Sequence, residues 1–123
     1  LATILDAGEN TFITNLISGP AWIGLSDAAV EGEWRWVDGP EAGDLAVYTN
    51  WAAGEPNDYV SGEDYTQIRT NGTWNDHGLP NFPTYRHGYV VEYSPVPAPT
   101  TLALLGIGLA GFGFIRRKRL TQD

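Results

Sequence analysis

The chain has 123 residues, of which 15 are acidic and 7 are basic, and its formal net charge is −8. That length suits one compact domain. The acidic balance excludes a nucleic-acid partner, because phosphate binding needs clustered Lys and Arg, and the absence of Cys excludes disulfides and zinc–thiolate sites. Four of the basic residues lie together at 116–119, so residues 1–95 carry a net charge of −11. An acidic domain of this kind favours cations as partners.

The first predicted element is a helix that follows Asp6. Asp6 and Glu9 have the spacing of a capping box, in which the first side chain caps the helix and the second reaches back. Apolar residues then recur at helical spacing at 12, 13, 16 and 17, and a Gly-Pro pair at 19–20 ends the helix.

Short aromatic-rich strands follow the helix. They are predicted at 21–25, 34–37, 65–68 and 88–92, and Asn71-Gly72 is predicted to form a tight turn. Trp34, Trp36 and Trp51 are predicted to belong to the hydrophobic core. One helix combined with short strands indicates an α+β fold.

Oxygen-bearing side chains concentrate in a polar stretch that has no periodicity. Glu-Pro-Asn-Asp at 55–58 is followed by Glu-Asp at 63–64, and Trp-Asn-Asp at 74–76 comes after the predicted turn. Such a ligand set suits Ca²⁺, which takes about 6–8 oxygens and tolerates irregular loops. The spacing does not fit an EF-hand. On composition alone, a calcium site and a solvated acidic loop are equally good interpretations.

The end of the chain has three parts in a fixed order. Residues 94–99 form a proline-spaced linker, 100–115 carry no charge, and a basic cluster begins at Arg116. The uncharged run is 18 residues when counted from Ala98, about 27 Å as a helix, against a bilayer core of about 30 Å. A buried core helix is the alternative, but such a helix does not abut a basic cluster and a proline spacer. We therefore predict a transmembrane helix at 100–115 and a basic cytoplasmic tail at 116–123.

This tail resembles the PEP-CTERM sorting signal of Gram-negative bacteria. The residues that carry the resemblance are Val96, Pro97 and Pro99 before the apolar run and Arg116 and Arg117 after it. Residue 98 is Ala where the family usually has Glu. The resemblance implies export, anchoring in the membrane through the helix, processing by an exosortase near 97–99, and a final location at the cell surface or in the extracellular matrix.

The preceding part resembles a C-type lectin domain over residues 1–93. Trp-Ile-Gly-Leu at 22–25, Glu-Pro-Asn at 55–57, Glu-Asp at 63–64 and Trp-Asn-Asp at 74–76 occur in the order and spacing of that family. The resemblance implies a C-type lectin-like α+β fold with short antiparallel sheets, flanking helices and a long calcium-binding loop. It also implies binding without catalysis.

Two calcium sites follow from the resemblance. The ligands of the principal site would be Glu55, Asn57, Glu63, Asn75 and Asp76, and the Glu55–Pro56 bond would be cis. An auxiliary site would use Asp27, Glu31, Asp58 and Asp64, with Glu63 shared. Plain surface carboxylates are the alternative for this auxiliary set.

The Glu-Pro-Asn order implies a preference for mannose-, glucose- or fucose-type sugars. Glu55, Asn57, Glu63 and Asn75 would bind the sugar hydroxyls, since carboxylates accept and amides donate hydrogen bonds. Tyr59 would lie against the sugar or remain a solvated loop residue. The predicted function is calcium-dependent binding of such sugars or of an exopolysaccharide. The alternative is a lectin-like module for adhesion or protein binding, with purely structural calcium.

The chain departs from the family pattern in its cysteines and at its start. Tyr65, Leu79 and Val91 replace the usual cysteines, and packing is expected to substitute for the bridges. The first strand of the family is expected to lie upstream of Leu1, which leaves a truncated domain with an exposed sheet edge near 90–92. The two histidines, at 77 and 87, are predicted to pack in loops rather than to bind metal.

Overall fold

The computed structural model describes residues 1–78 and 87–93. Within them the chain forms helix α1 and strands β1 to β5, which are Ala7–Leu16, Ala21–Ser26, Arg35–Trp36, Tyr65–Ile68, Trp74–His77 and Gly88–Tyr89. The chain divides into the units Leu1–Tyr93 and Ser94–Asp123. The predicted linker, transmembrane helix and basic tail lie outside the described residues. In the part that the structure describes, no helix is long and apolar enough to span a bilayer.

The start of α1 follows the predicted capping box. The Asp6 side chain accepts a hydrogen bond of 2.9 Å from the Glu9 N–H. The Glu9 carboxylate reaches back to the Leu5 N–H at 2.6 Å, one residue before the cap. The two side chains therefore satisfy backbone donors that the first turn leaves free.

The apolar spacing along α1 predicts its buried face only in part. The helix ends at Leu16, before the Gly-Pro pair, and Ile13 is buried as expected. Phe12 and Leu16 share this apolar spacing but are 65% and 63% exposed. The stripe that faces the sheet consists of Asn10, Ile13 and Ile17, which are three to four residues apart.

Strand β1 is the centre of the sheet, whose order is β2-β1-β3-β4 with β5 also paired to β1. Strand β3 runs antiparallel along one edge of β1, while β2 and the parallel β5 share its other edge. Five of the six residues of β1 are buried, as a strand covered on both faces requires. Strand β1 is therefore buried and has neighbouring strands on both of its edges.

The β3–β4 hairpin closes at the predicted turn. Its register pairs Ile68 with Trp74 and Thr66 with Asp76. Gly72 has a φ of +83°, which favours glycine, and a Cβ there would come within 2.9 Å of the Thr14 hydroxyl. The turn therefore needs Gly72 both for its backbone and for its contact with α1.

The last strand is shorter than the predicted 88–92, and the edge beside it is partly covered. The Ala2 N–H donates to the Val90 carbonyl at 2.8 Å, so the expected open edge at this residue is wrong. Val91 is 42% exposed and does not replace a cysteine by packing, whereas Tyr65 is half-buried. Leu79 lies outside the described residues.

Tryptophan side chains pack together in a core whose other buried residues are aliphatic, and the three tryptophans predicted for the core lie in it or against it. Trp36 and Trp74 are fully buried, and Trp34 and Trp51 pack against them half-buried. Trp74 makes edge contacts with Trp36 and Trp51 at ring-centroid distances of 6.3 and 5.8 Å, an arrangement that stabilises aromatic pairs.

A buried polar residue ties the helix to this core. Asn10 accepts a hydrogen bond of 2.7 Å from the Trp74 indole N–H and donates one of 3.0 Å to the Gly72 carbonyl. Asn50 donates to the same carbonyl at 2.7 Å. Both bonds of Asn10 are buried, so they fix the hairpin against α1 and orient the strand that carries Asp76.

Candidate functional site

The Glu-Pro-Asn loop meets strand β4 at Asp76. This residue is 1% exposed, and its Oδ2 accepts hydrogen bonds from the N–H groups of Asn57 at 2.8 Å and Asp58 at 2.6 Å. Its Oδ1 is buried and has no hydrogen-bond donor among residues 1–78 and 87–93. One oxygen therefore holds the loop while the other remains available to a ligand.

Glu55 lies beside Asp76 and is half-buried. The Glu55–Pro56 bond is cis, as the resemblance implied. Burial raises the pKa of Glu55, the neighbouring Asp76 raises it further, and the Arg69 guanidinium partly offsets both. Its Oε2 is a second buried carboxylate oxygen for which the described residues provide no N–H donor.

Arg69 belongs to this site, and the sequence reasoning gave it no role. Its Nη2 donates to the Asn75 Oδ1 at 2.7 Å and lies 3.7 Å from the Glu55 Oε1. The Asn75 amide donates in turn to the Asp76 carbonyl. A signal existed in the hairpin register, because Gln67 pairs with Asn75 and Arg69, two residues on, occupies the diagonal position on the same face.

The loop from Asn57 to Glu63 folds back on itself through backbone donors. The Tyr59 N–H donates to both the Asn57 Oδ1 at 2.9 Å and the Glu63 Oε2 at 3.0 Å, so these two predicted ligands lie close together. The Asp58 Oδ1 accepts from the N–H groups of Gly62 and Glu63, which lower the pKa of Asp58. The Tyr59 ring is 74% exposed beside them.

The auxiliary set converges in three of its four predicted members. Ligand oxygens of Asp27, Glu31 and Asp64 lie within 4.8 Å of one another. Asp27 directly follows β1, and its N–H donates to the Asp64 carbonyl at 3.2 Å. Its Oδ2 accepts from the Gly32 N–H at 2.9 Å, whereas its buried Oδ1 has no partner.

The charges of the auxiliary set repel one another. Burial raises the pKa of Asp27, the Gly32 N–H opposes that shift, and the carboxylates of Asp64 and Asp58 add to it. Desolvation and then the charge of Asp27 raise the pKa of Glu31. Asp58 therefore acts on this set through its charge, while its Oδ1 is bonded to the loop backbone.

Both sets fit a hard cation. Their side chains offer only oxygen as ligand, and in the part of the chain that the structure describes three buried carboxylate oxygens have no hydrogen-bond donor, namely Asp27 Oδ1, Glu55 Oε2 and Asp76 Oδ1. Burying an ionised carboxylate without a partner is costly. A divalent cation with many oxygen ligands, as Ca²⁺ prefers, would compensate that cost.

The histidines lie beside the principal set without joining it. The rings of His77 and His87 contact Trp22 edge-on at centroid distances of 5.6 and 5.4 Å. His77 is the last residue of β4, so its predicted position in a loop is wrong, while the ring contact of His87 agrees with the predicted packing role.

Two family models match the chain. The lectin C-type domain matches residues 1–78, and the PEP-CTERM protein-sorting motif matches residues 95–119. The chain belongs to the C-type lectin domain family. Its described part has the C-type lectin-like fold, with a helix beside a largely antiparallel sheet, and its end carries a PEP-CTERM sorting motif.

Similar proteins include larger ones from distant organisms. Halomucin of Haloquadratum walsbyi is 36% identical over 76% of this chain, which spans 1% of that protein. Hepatic lectin of Gallus gallus is 43% identical over 62% of the chain and 33% of its own length. The solved carbohydrate-recognition domain of the mouse scavenger receptor C-type lectin is 35% identical, with a TM-score of 0.56 over 63% of this chain and 61% of that structure. The chain thus spans less than two thirds of each of these relatives.

Proposed function

We propose that this C-type lectin domain binds carbohydrate in a calcium-dependent manner and has no catalytic activity of its own. The observation that carries the proposal is the pair of buried, unpartnered oxygens, Glu55 Oε2 and Asp76 Oδ1, where the Glu-Pro-Asn loop meets the Trp-Asn-Asp strand. The names of the similar proteins, two of which are called lectins, support a binding role.

The principal site would hold the ion through oxygens from two segments of the chain. Those ligands are Glu55, Asn57, Glu63, Asn75 and Asp76. Calcium, when bound, supplies open coordination positions for two neighbouring hydroxyls of one sugar. The carboxylates of Glu55 and Glu63 would accept hydrogen bonds from these hydroxyls, and the amides would donate to them.

The order Glu55-Pro56-Asn57 supports a mannose-, glucose- or fucose-type sugar, or an exopolysaccharide that contains one. The exposed ring of Tyr59 beside the loop offers an apolar surface to a bound sugar. The sugar would therefore be held by hydroxyl contacts on one side and by ring contact on the other.

The auxiliary ion would be held by Asp27, Glu31, Asp58 and Asp64, with Glu63 shared. The convergence of three of these carboxylates supports this site. Neutralising their repulsion would order the segment that follows β1 and, through the Asp27–Asp64 backbone bond, the end of the principal loop.

The sorting motif supports an exported protein at the surface of a Gram-negative bacterium. Under this proposal the apolar run at 100–115 anchors the chain in the membrane, and an exosortase-type enzyme processes it near 97–99. Glycan binding would then take place outside the cell or in its extracellular matrix.

Exchange of the two loop ligands tests the sugar assignment. The double variant Glu55→Gln with Asn57→Asp alters the donor and acceptor order while keeping oxygen ligands, so binding to a mannose-bearing surface should fall at least about tenfold. Asp38→Asn is the matched control, because Asp38 is exposed and bonds to Gly39 outside the site. Unchanged mannose binding in the double variant would refute the assignment.

The adhesion alternative gives a different outcome in the same assay. A lectin-like module with purely structural calcium would be stabilised by calcium but would bind no sugar on a glycan array. Stabilisation together with calcium-dependent glycan binding supports the proposal instead.

A further inference from the structure

Arg69 is the positively charged side chain that enters the principal ligand set. In the described residues the other arginine, Arg35, pairs with Glu33 at 2.6 Å and donates to the Gly43 carbonyl. Arg69 contacts two proposed calcium ligands instead, Asn75 at 2.7 Å and Glu55 at 3.7 Å. The two guanidiniums are equally exposed, at 38% and 39%, so they differ in what they contact and not in their solvation.

Arg69 contacts oxygen atoms through which two of the proposed ligands would bind calcium. The Asn75 Oδ1 accepts from Arg69, while the Asn75 amide N–H donates to the Asp76 carbonyl. Both polar ends of this side chain are therefore engaged within the protein. The guanidinium also supplies a positive charge to Glu55, whose other carboxylate oxygen is buried without a partner.

These interactions favour the site without metal over the site with metal. A guanidinium attracts the carboxylate of Glu55 but repels a divalent cation placed on the same ligands. Any interaction that stabilises only the metal-free form lowers the apparent affinity for the metal by the same free energy. Because Arg69 is more than a third exposed, solvent screening keeps the effect moderate.

We infer that Arg69 is an internal counter-cation that stabilises the calcium-free site and sets its calcium affinity below what the oxygen ligands alone would give. The inference rests on the proposed function, because it concerns the same ligands. Arg69 is a positioning residue: it acts through Glu55 and Asn75 and not on the sugar. Calcium bound by Glu55 and Asn75 would lie close to the guanidinium that contacts the same two side chains.

Calcium titration of two matched variants tests this role. Arg69→Gln removes the charge and retains an amide donor on a shorter side chain, a truncation that the control Arg35→Gln shares, and it should bind Ca²⁺ about three- to tenfold more tightly than the wild type. Arg35→Gln removes one equally exposed charge away from the proposed ligands and should change the affinity less than twofold. Calorimetric titration of the full chain with Ca²⁺ measures both.

Thermal melts separate this role from a simple loss of structure. In chelator Arg69→Gln should melt below the wild type, and the difference should shrink or reverse in saturating Ca²⁺. A variant that binds Ca²⁺ as the wild type does, or more weakly, overturns the inference alone. If neither protein binds Ca²⁺, the inference and the proposed function both fail. If only Arg69→Gln binds it, the inference stands and the calcium dependence of the natural chain fails.

Discussion

Strand β4 belongs to two regions of the lectin domain that differ in whether their buried polar groups have hydrogen-bond partners. At Trp74 the strand enters the aromatic core, where the indole N–H and the amide of Asn10 satisfy each other. Two residues later, at Asp76, a buried carboxylate oxygen has no hydrogen-bond donor among the described residues. The polar groups of the first region are satisfied within the protein, whereas the second region, under the proposed function, would gain its missing partner from a bound cation. The proposal therefore predicts that only the second region depends on a ligand for its stability.

The largest effect should come from supplying that cation. Ca²⁺ at about a hundred times its dissociation constant would add about 2.7 kcal/mol of unfolding free energy for each occupied site. For a domain of this size, that corresponds to a rise of about 10–20 °C in melting temperature. Calorimetric melts in calcium and in chelator measure the difference. Superimposable melts would show that the acidic region needs no metal. They would refute the proposed difference between the two regions.

Asn10→Ala should destabilise the other region, the core around Trp74, by a similar amount of unfolding free energy. The change leaves the buried Trp74 N–H unsatisfied, so the unfolding free energy should fall by about 2–3 kcal/mol. Chemical denaturation should give nearly the same loss in calcium and in chelator, because Asn10 bonds to Trp74 and Gly72 and not to the proposed calcium ligands. Thr11→Ala on the same helix removes an exposed hydroxyl bond and should cost less than about 0.5 kcal/mol. A loss of stability that appears only in chelator would contradict the separation of the two regions.

Asp27→Asn tests whether a buried charge destabilises the acidic region in the absence of calcium. The neutral side chain can still accept from the Gly32 N–H but no longer buries a charge beside Asp64. In chelator at neutral pH it should raise the unfolding free energy of the domain, because burial and the charge of Asp64 both disfavour the ionised Asp27 side chain, and in saturating calcium it should lose part of the stabilisation by metal. Asp38→Asn is a control, since backbone and N-terminal donors lower the pKa of Asp38, and it should not stabilise. Destabilisation by Asp27→Asn in chelator would show that the charge is already compensated.

The smallest effect concerns the loop backbone. Val60 has a φ of +61°, a conformation that is strained for a β-branched residue. Val60→Gly should relieve about 1–2 kcal/mol of strain and lose about 0.5–1 kcal/mol of chain entropy, for a net gain between about 0 and 1.5 kcal/mol. Val47 is 99% exposed outside the loop, and Val47→Gly should not stabilise. Equal effects of both changes in denaturation experiments would exclude strain at Val60.

The sequence predicts the elements that depend on neighbours along the chain. The cap formed by Asp6 and Glu9, the turn at Gly72 and the core position of Trp36 all follow from local spacing or composition. The sequence motifs also predict the family, which the comparison with the lectin C-type model confirms.

What could not be predicted depends on packing between elements. Phe12 and Leu16 fit a helical apolar face, but the helix turns Asn10 toward the hairpin and leaves those two side chains exposed. Arg69 reads as an ordinary strand-end cation until the register sets it diagonally across from Asn75. The exposure of Phe12 and Leu16 depends on which face of the helix packs against the hairpin, and the contact of Arg69 depends on the pairing of the two strands. The spacing of apolar residues along the chain determines neither.

Binding of the full chain to a mannose-bearing polymer, titrated with free Ca²⁺, is the most direct test of the central claim. If the domain is a calcium-dependent lectin, the chain should not bind the polymer in chelator and should bind it saturably as the calcium concentration rises. The Glu55→Gln, Asn57→Asp variant should lose that binding. Binding of equal strength with calcium and with chelator, or no sugar binding at any calcium concentration, would contradict it.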